Sequence, residues 1–220
     1  LMQRNFEDLF HASIDWKMAF LPSYEKVTRI VSHLRPREHA IFVYNFLETK
    51  HKVLFSYIKY GLENSEAAIY ICSEEDPNQI RDAMKQFGIE VENYEKTGAL
   101  SIIHYTDFYI VDGKFSMSKT IDLWNKLYKE ASMKGFKGLR VTGETACFIK
   151  HNLIQELVEY ERALHRVLDI PIVAICAYNA NMFTRIDDPI NVYSELVKAH
   201  GTVLFTGTDK KLGRIEILKA

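Results

Sequence analysis

The sequence is short of cysteine and proline, and its charges nearly cancel. It holds three cysteines and five prolines. Three is an odd number, and Cys72 and Cys176 stand inside apolar runs with Cys147 just beyond one. A disulfide framework is therefore not expected, and a reducing cytoplasm is the expected setting. The formal net charge is −1, so no global field draws the chain to DNA, RNA or an anionic membrane, and no nucleic-acid partner is expected. The basic run RIVSHLRPREH, residues 29–39, reads as a solvated helix end with too few charges for a phosphate backbone. No apolar run reaches the ~18–20 residues of a membrane span. No basic-plus-apolar leader precedes a small-residue cleavage site. These absences predict a soluble, cytoplasmic protein with no membrane partner. Internal repeats and low-complexity tracts are also missing.

What is present is an ordinary globular composition, 47% hydrophobic and 26% charged over 220 residues, enough for one good core. Residues 1–38 predict an N-terminal helical arm, with short amphipathic helices in NFEDLF and SYEKVTRIVSHL. Val27, Ile30, Val31 and Leu34 fall on one face of the second. From His39 onward, strand and helix patterns alternate to the end of the chain, so residues 39–220 predict one α/β domain. AIFVY, AAIYIC, LSIIHY, FKGLRVTGE and IPIVAICAY read as strands. DPNQIRDAMKQFG is a helix by its signals: Asp76 caps it, Pro77 suits its first position and Gly88 its exit. A helix is expected from Lys52 to Glu63, and a single long one over residues 149–168. Such alternation implies a mostly parallel sheet covered on both faces. GTVLFTG and GRIEILK predict an antiparallel edge near the C-terminus.

In open α/β sheets, ligands sit beyond the carboxyl ends of the strands. That rule selects Tyr44 and Asn45, then Ser73 to Glu75, Tyr105 and Asp107, Thr142 to Glu144, and Tyr178 with Asn179. The rim is rich in carboxylates and phenols, and Lys50 is its main cation. The turn after the first strand, where many α/β proteins cradle a phosphate with glycines, reads YNFLETKH and holds none.

Residues 43–110 resemble the KaiC group of RecA-like ATPases through Gly61 to Glu66, AIYICSEEDP and FGIEVENYEKTGALSIIHY. Glu74-Glu75 occupy the place of that group's catalytic carboxylates. Counted back from Gly61, Lys50 falls on the phosphate-loop lysine and His51 on the magnesium-binding Ser/Thr. Tyr44, Leu47 and Thr49 stand where glycines would let backbone N–H groups wrap a phosphate. The span from His39 to Phe205 is more similar still to the MEDS domain, the sensory domain of DcmR-type regulators of methanogens and methylotrophs. The matching features, in order, are His39, Phe42-Val43-Tyr44, Gly61-Leu62, Gly98 with Leu100, Gly113-Lys114-Phe115, Arg140 to Glu144, Tyr160-Glu161, Ile175 to Tyr178, and His200 ahead of Val203-Leu204.

The resemblance implies a RecA/KaiC-like three-layer sandwich with a degenerate phosphate loop, in an archaeal or bacterial ligand sensor. The expected function is non-catalytic: a small organic ligand binds at the carboxyl ends of the sheet and is signalled to a regulatory partner or a second subunit of a homo-oligomer. The alternatives are a divergent KaiC-like ATPase using Lys50 and Glu74/Glu75, and an oligomeric scaffold. The expected ligand residues are His39, Tyr44, Phe46, Glu74, Glu144, Cys176 and Tyr178, with Lys50 and His51 at the degenerate phosphate-loop position. Plainer roles compete at several of them. His39 could tie the arm to the sheet, Cys176 could be a small buried apolar group, and Glu144 could pair or cap. Glu161 and His165 lie one helical turn apart, a metal-compatible spacing. No second pair such as Cys-x-x-Cys accompanies them, so a solvated helix face is expected, with no metal and no cofactor.

Overall fold

A computed structural model describes residues 24–167, 169–206 and 212–216. The NFEDLF segment lies outside the described residues. A seven-stranded sheet runs in the order β3-β2-β6-β7-β1-β8-β9. Its strands are β1 (His39–Tyr44), β2 (Ala67–Cys72), β3 (Leu100–His104), β6 (Leu139–Glu144), β7 (Val173–Asn179), β8 (Thr202–Thr206) and β9 (Leu212–Glu216). Every pairing is parallel except β8 with β9, which forms the antiparallel edge. A two-stranded ribbon, β4 (Ile110–Val111) and β5 (Lys114–Phe115), stands apart from the sheet.

Side-chain alternation assigns the two faces. Ala40, Phe42 and Tyr44 of β1 and Val173, Ile175 and Ala177 of β7 enter one core. There they meet α1 (Tyr24–Ser32), α2 (Leu47–Glu63), α3 (Pro77–Gln86) and α4 (Val91–Thr97). Ile41 of β1 and Ala174, Cys176 and Tyr178 of β7 enter a second core. It is closed by α5 (Met117–Met133), α6 (Ala146–Lys150), α7 (Ile154–Val167) and α9 (Pro189–Ala199), with the short α8 (Ala180–Phe183) following β7. The result is three layers, with apolar surface buried on both sides of the sheet.

Local signals explain most boundaries. Asp76 caps α3 by accepting from the Asn78 and Gln79 amides, and Gln79 completes a capping box. Gly88 leaves that helix at φ +87°, a left-handed conformation that suits glycine. Two expectations are corrected. α2 starts at Leu47 rather than Lys52, because the Thr49 hydroxyl and the Lys50 amide both bond the Phe46 carbonyl, at 2.8 and 3.0 Å. Residues 47–51 are thus helix. The long helix over 149–168 is two helices, because Asn152 turns left-handed at φ +56° between α6 and α7.

The apolar stripe of α1 joins the first core, with Val27, Val31 and Leu34 buried. Arg140 of β6 holds this corner together. Its guanidinium lies 5.0 and 4.8 Å from the Tyr57 and Tyr60 ring centroids. It also pairs with Glu66 and donates to the Val31 carbonyl at 3.4 Å. Gly61 makes room for it: a Cβ there would lie 2.5 Å from Arg140 Cδ. Among the described residues, no helix is long and apolar enough to cross a membrane.

Candidate functional site

The second face of the sheet carries a cavity of about 420 Å³. Its floor consists of small residues in register, Gly143 beside Cys176 and Val141 beside Ala174. Tyr109, Trp124 of α5 and Tyr160 of α7 form the facing wall. Trp124 Nε1 donates to the Tyr160 hydroxyl at 2.7 Å. The Tyr109 hydroxyl packs so closely over Gly143 that a Cβ there would collide with it. Arg37 and Asp169 form an exposed ion pair and line the cavity with Glu38 and His39. Gly143, Ala174 and Cys176 on adjacent strands, under the Trp124 and Tyr160 rings of α5 and α7, are what leaves the space.

One wall of the cavity is polar. His39 Nε2, at the start of β1, lies 2.8 Å from Cys176 Sγ and 3.2 Å from Glu161 Oε2. The Cys176 thiol donates to Glu161 Oε2 at 3.5 Å, and the Tyr178 hydroxyl donates to Glu161 Oε1 at 2.7 Å. His200, at the end of α9, places Nε2 3.5 Å from Glu161 Oε2 and bonds the Leu196 carbonyl through Nδ1 at 2.6 Å. All of these residues are buried. Burial alone would raise the Glu161 carboxyl. The hydrogen bond from His200, the two imidazoles and the Tyr178 hydroxyl outweigh it and hold Glu161 down at about 2. The Cys176 thiol is pushed well above its ordinary value by burial and by the Glu161 charge.

A separate polar cluster fills the carboxyl ends of the strands on the first face. Lys50, fully buried, sets Nζ 2.7 Å from Glu144 Oε1, 2.8 Å from Glu75 Oε2 and 3.8 Å from Glu74 Oε2. Glu144 Oε1 also accepts from the Tyr70 hydroxyl at 2.7 Å, and Oε2 accepts from the Ser73 and Glu74 amides at 2.7 Å each. Four donors therefore satisfy this one carboxylate. Glu75 pairs with His51 at 2.7 Å. Burial opposes its charge, but the hydrogen bonds and charges of His51 and Lys50 prevail and hold it at about 2. Glu74 bonds the Tyr44 hydroxyl and accepts from Asn179 at 2.6 Å. Burial, with Glu144 and Glu75 nearby, pushes Glu74 up to about 7 against the pull of Asn179 and Lys150.

The expected ligand residues therefore divide between two places. His39, Cys176 and Tyr178 meet on the second face. Tyr44, Glu74 and Glu144 meet on the first, with Lys50 and His51. Phe46 caps α2 and is exposed. His39 and Tyr44 stand at opposite ends of the same six-residue strand, about 16 Å apart at the usual rise. The cavity likewise lies against the sheet face near His39 and not beyond the carboxyl ends, which the Lys50 cluster occupies. Glu161 corrects a further expectation. It is fully buried rather than on a solvated face, because α7 is covered by α5 and α9. The His165 side chain lies outside the described residues. Glu161 and His200, with Tyr109 and Trp124 of the cavity wall, were not among the expected site residues. The signals for the first two were their places in the Tyr160-Glu161 and His200 elements of the family resemblance and, for Glu161, its one-turn spacing from His165.

Comparison with known proteins agrees with this architecture. A solved KaiC-like protein from the hyperthermophilic archaeon Pyrococcus horikoshii OT3 superposes with a TM-score of 0.59 at 15% identity, covering 94% of this chain and 90% of its own. At that identity the likeness shows the fold. No curated protein matches. The family model described as the methanogen/methylotroph DcmR sensory domain, MEDS, matches residues 38–199. That span includes both polar clusters except His200, and with it the chain belongs to the MEDS sensory domain family.

Proposed function

We propose that this chain is a non-catalytic sensor that binds a small, largely apolar organic molecule in the cavity between the second sheet face and helices α5 and α7. The cavity is the observation that carries the reading. Its volume, about 420 Å³, falls within the ~300–1,000 Å³ typical of small-ligand sites. Aromatic and aliphatic side chains make up most of its lining, and His39 and Cys176 supply polar anchors on one wall. The Lys50 cluster supports a degenerate phosphate loop. A lysine already bonded to carboxylates has no charge to spare for a triphosphate, and Glu74, Glu75 and Glu144 repel one. The family match begins at residue 38, which supports reading the residues before it as an arm outside the sensory domain. Residues 37–39 line the cavity where that arm meets β1, so occupancy there can bias the arm toward a regulatory partner or a second subunit.

The test is a thermal-shift and calorimetric screen of alkanols, haloalkanes, small aromatics and magnesium nucleotides. Apolar organics should stabilise the wild-type chain. They should fail with Ala174→Leu, which adds bulk to the cavity floor. Nucleotides should leave both unchanged. Stabilisation by magnesium-ATP and by no organic molecule would overturn the proposal.

A further inference from the structure

We propose that His39, Glu161, Cys176 and His200 form a binding site for a divalent transition-metal ion of the zinc class. Their donor atoms, two imidazole nitrogens, one carboxylate oxygen and one thiol sulfur, lie within 4.8 Å of one another. A tetrahedral zinc site with bonds of about 2.0–2.3 Å needs ligand atoms roughly 3.3–3.7 Å apart. The separations of 3.5 Å for His200–Glu161 and for Cys176–Glu161 fall in that range, 3.2 Å for His39–Glu161 lies just below it, and His39–Cys176, at 2.8 Å, has to open to admit the ion. The four ligands come from β1, α7, β7 and the end of α9, so the folded chain assembles the site.

Three features beyond proximity point to a cation. The first is the tautomer of His200. Its Nδ1 faces the Leu196 carbonyl at 2.6 Å, and a carbonyl only accepts, so Nδ1 carries the hydrogen. Nε2 is then the nitrogen turned to the Glu161 carboxylate, 3.5 Å away, where a proton or a metal ion can bridge the two. A metal ion there takes the place of the proton in that bridge, with Nε2 and the carboxylate as its ligands. The second is outer support. The Leu196 carbonyl orients His200, and the Tyr178 hydroxyl holds the other oxygen of Glu161 at 2.7 Å, the arrangement that fixes metal ligands in place. The third is charge. A carboxylate and a thiolate with two neutral imidazoles balance a divalent ion, which would leave the buried cluster neutral. Mixed His, Cys and carboxylate donors suit zinc and its neighbours rather than magnesium or calcium.

His39 and Cys176 also line the cavity, so an ion held by them would border it. The metal site nevertheless stands without any organic ligand, and its test uses none. Chelator-stripped wild-type protein is titrated with zinc against a chromophoric competitor, then with cobalt(II). One equivalent should bind, and the cobalt form should show tetrahedral ligand-field bands with a thiolate-to-cobalt charge-transfer band. Cys176→Ser should abolish that band and weaken zinc at least ~100-fold, and Glu161→Gln should weaken it comparably. Tyr178→Phe, which removes only outer support, should weaken zinc about 10–100-fold. Cys72→Ser and Cys147→Ser should keep both the band and the affinity. If Cys176→Ser does not fold, X-ray absorption on the zinc-loaded wild type decides, with one sulfur in the zinc shell expected. Sub-stoichiometric zinc, a band that survives Cys176→Ser, or a sulfur-free shell would overturn the site.

Discussion

Replacing Lys50 by methionine gives a direct test of what the carboxyl ends of the sheet have become. The side chain is fully buried, Glu144 is 1% exposed, and Glu75 and Glu74 are 16% and 12% exposed. Methionine keeps most of the volume, so the change removes charge with little cavity. Glu144 retains three of its four donors, but Glu75 loses its closest cation apart from His51, and the carboxylates are left facing one another. Breaking a buried pair on one side costs ~3–5 kcal/mol. In a chain of this length that lowers the melting temperature by roughly 10 °C. Urea unfolding at pH 7, followed by circular dichroism, measures it. Adding Glu75→Gln should recover part of the loss, and the coupling in that double-mutant cycle should exceed ~1 kcal/mol. A lysine kept for phosphate behaves in the opposite way: its removal leaves stability nearly intact and abolishes nucleotide binding. A Lys50→Met variant within ~0.5 kcal/mol of wild type that loses magnesium-ATP binding would refute the reasoning.

Other consequences can be measured on the same material. Glu74 sits at about 7 instead of 4.5, so between those values the folded chain holds a proton that the unfolded chain has released. Its contribution therefore falls as pH rises from 4.5 to 7, by at most ~3 kcal/mol and about half that after screening at a partly solvated site. Glu74→Gln should flatten that slope in denaturation midpoints. Glu75, held at about 2, acts in the opposite sense: its stabilisation is present above 4.5 and lost as pH falls toward 2, and Glu75→Gln should remove that acid limb. Gly61→Ala should destabilise the chain by ~1–3 kcal/mol, because the new methyl displaces Arg140 from between Tyr57 and Tyr60. Gly143→Ala should push the Tyr109 hydroxyl into the cavity, with weaker binding of any organic ligand found by the screen as the readout.

The alternation of strands and helices, the caps of α3 and the antiparallel edge were legible because each is written in a few consecutive residues. The five-residue offset between His39 and Tyr44 was legible too. Period-two alternation sends these two side chains to opposite faces, and the strand rise sends them to opposite ends. The strand-end rule assumes an open carboxyl edge, and here that edge is closed by a lysine whose partners come from β2 and β6. The local pattern YNFLETKH shows that the glycines are missing, but not that Lys50 bonds Glu144, 94 residues away. The second cluster was hidden for a related reason. Tyr160 and Glu161 are neighbours about 100° apart around α7, so one side chain turns to the cavity and the other to His39 and His200. A helix read alone would give Glu161 to solvent. Only when α5 and α9 cover α7 on both flanks does a charged residue in the middle of an amphipathic helix become buried. A carboxylate buried in that way, between two imidazoles, has to be neutralised by something, and that requirement comes from the packing of four elements rather than from the spacing of any motif.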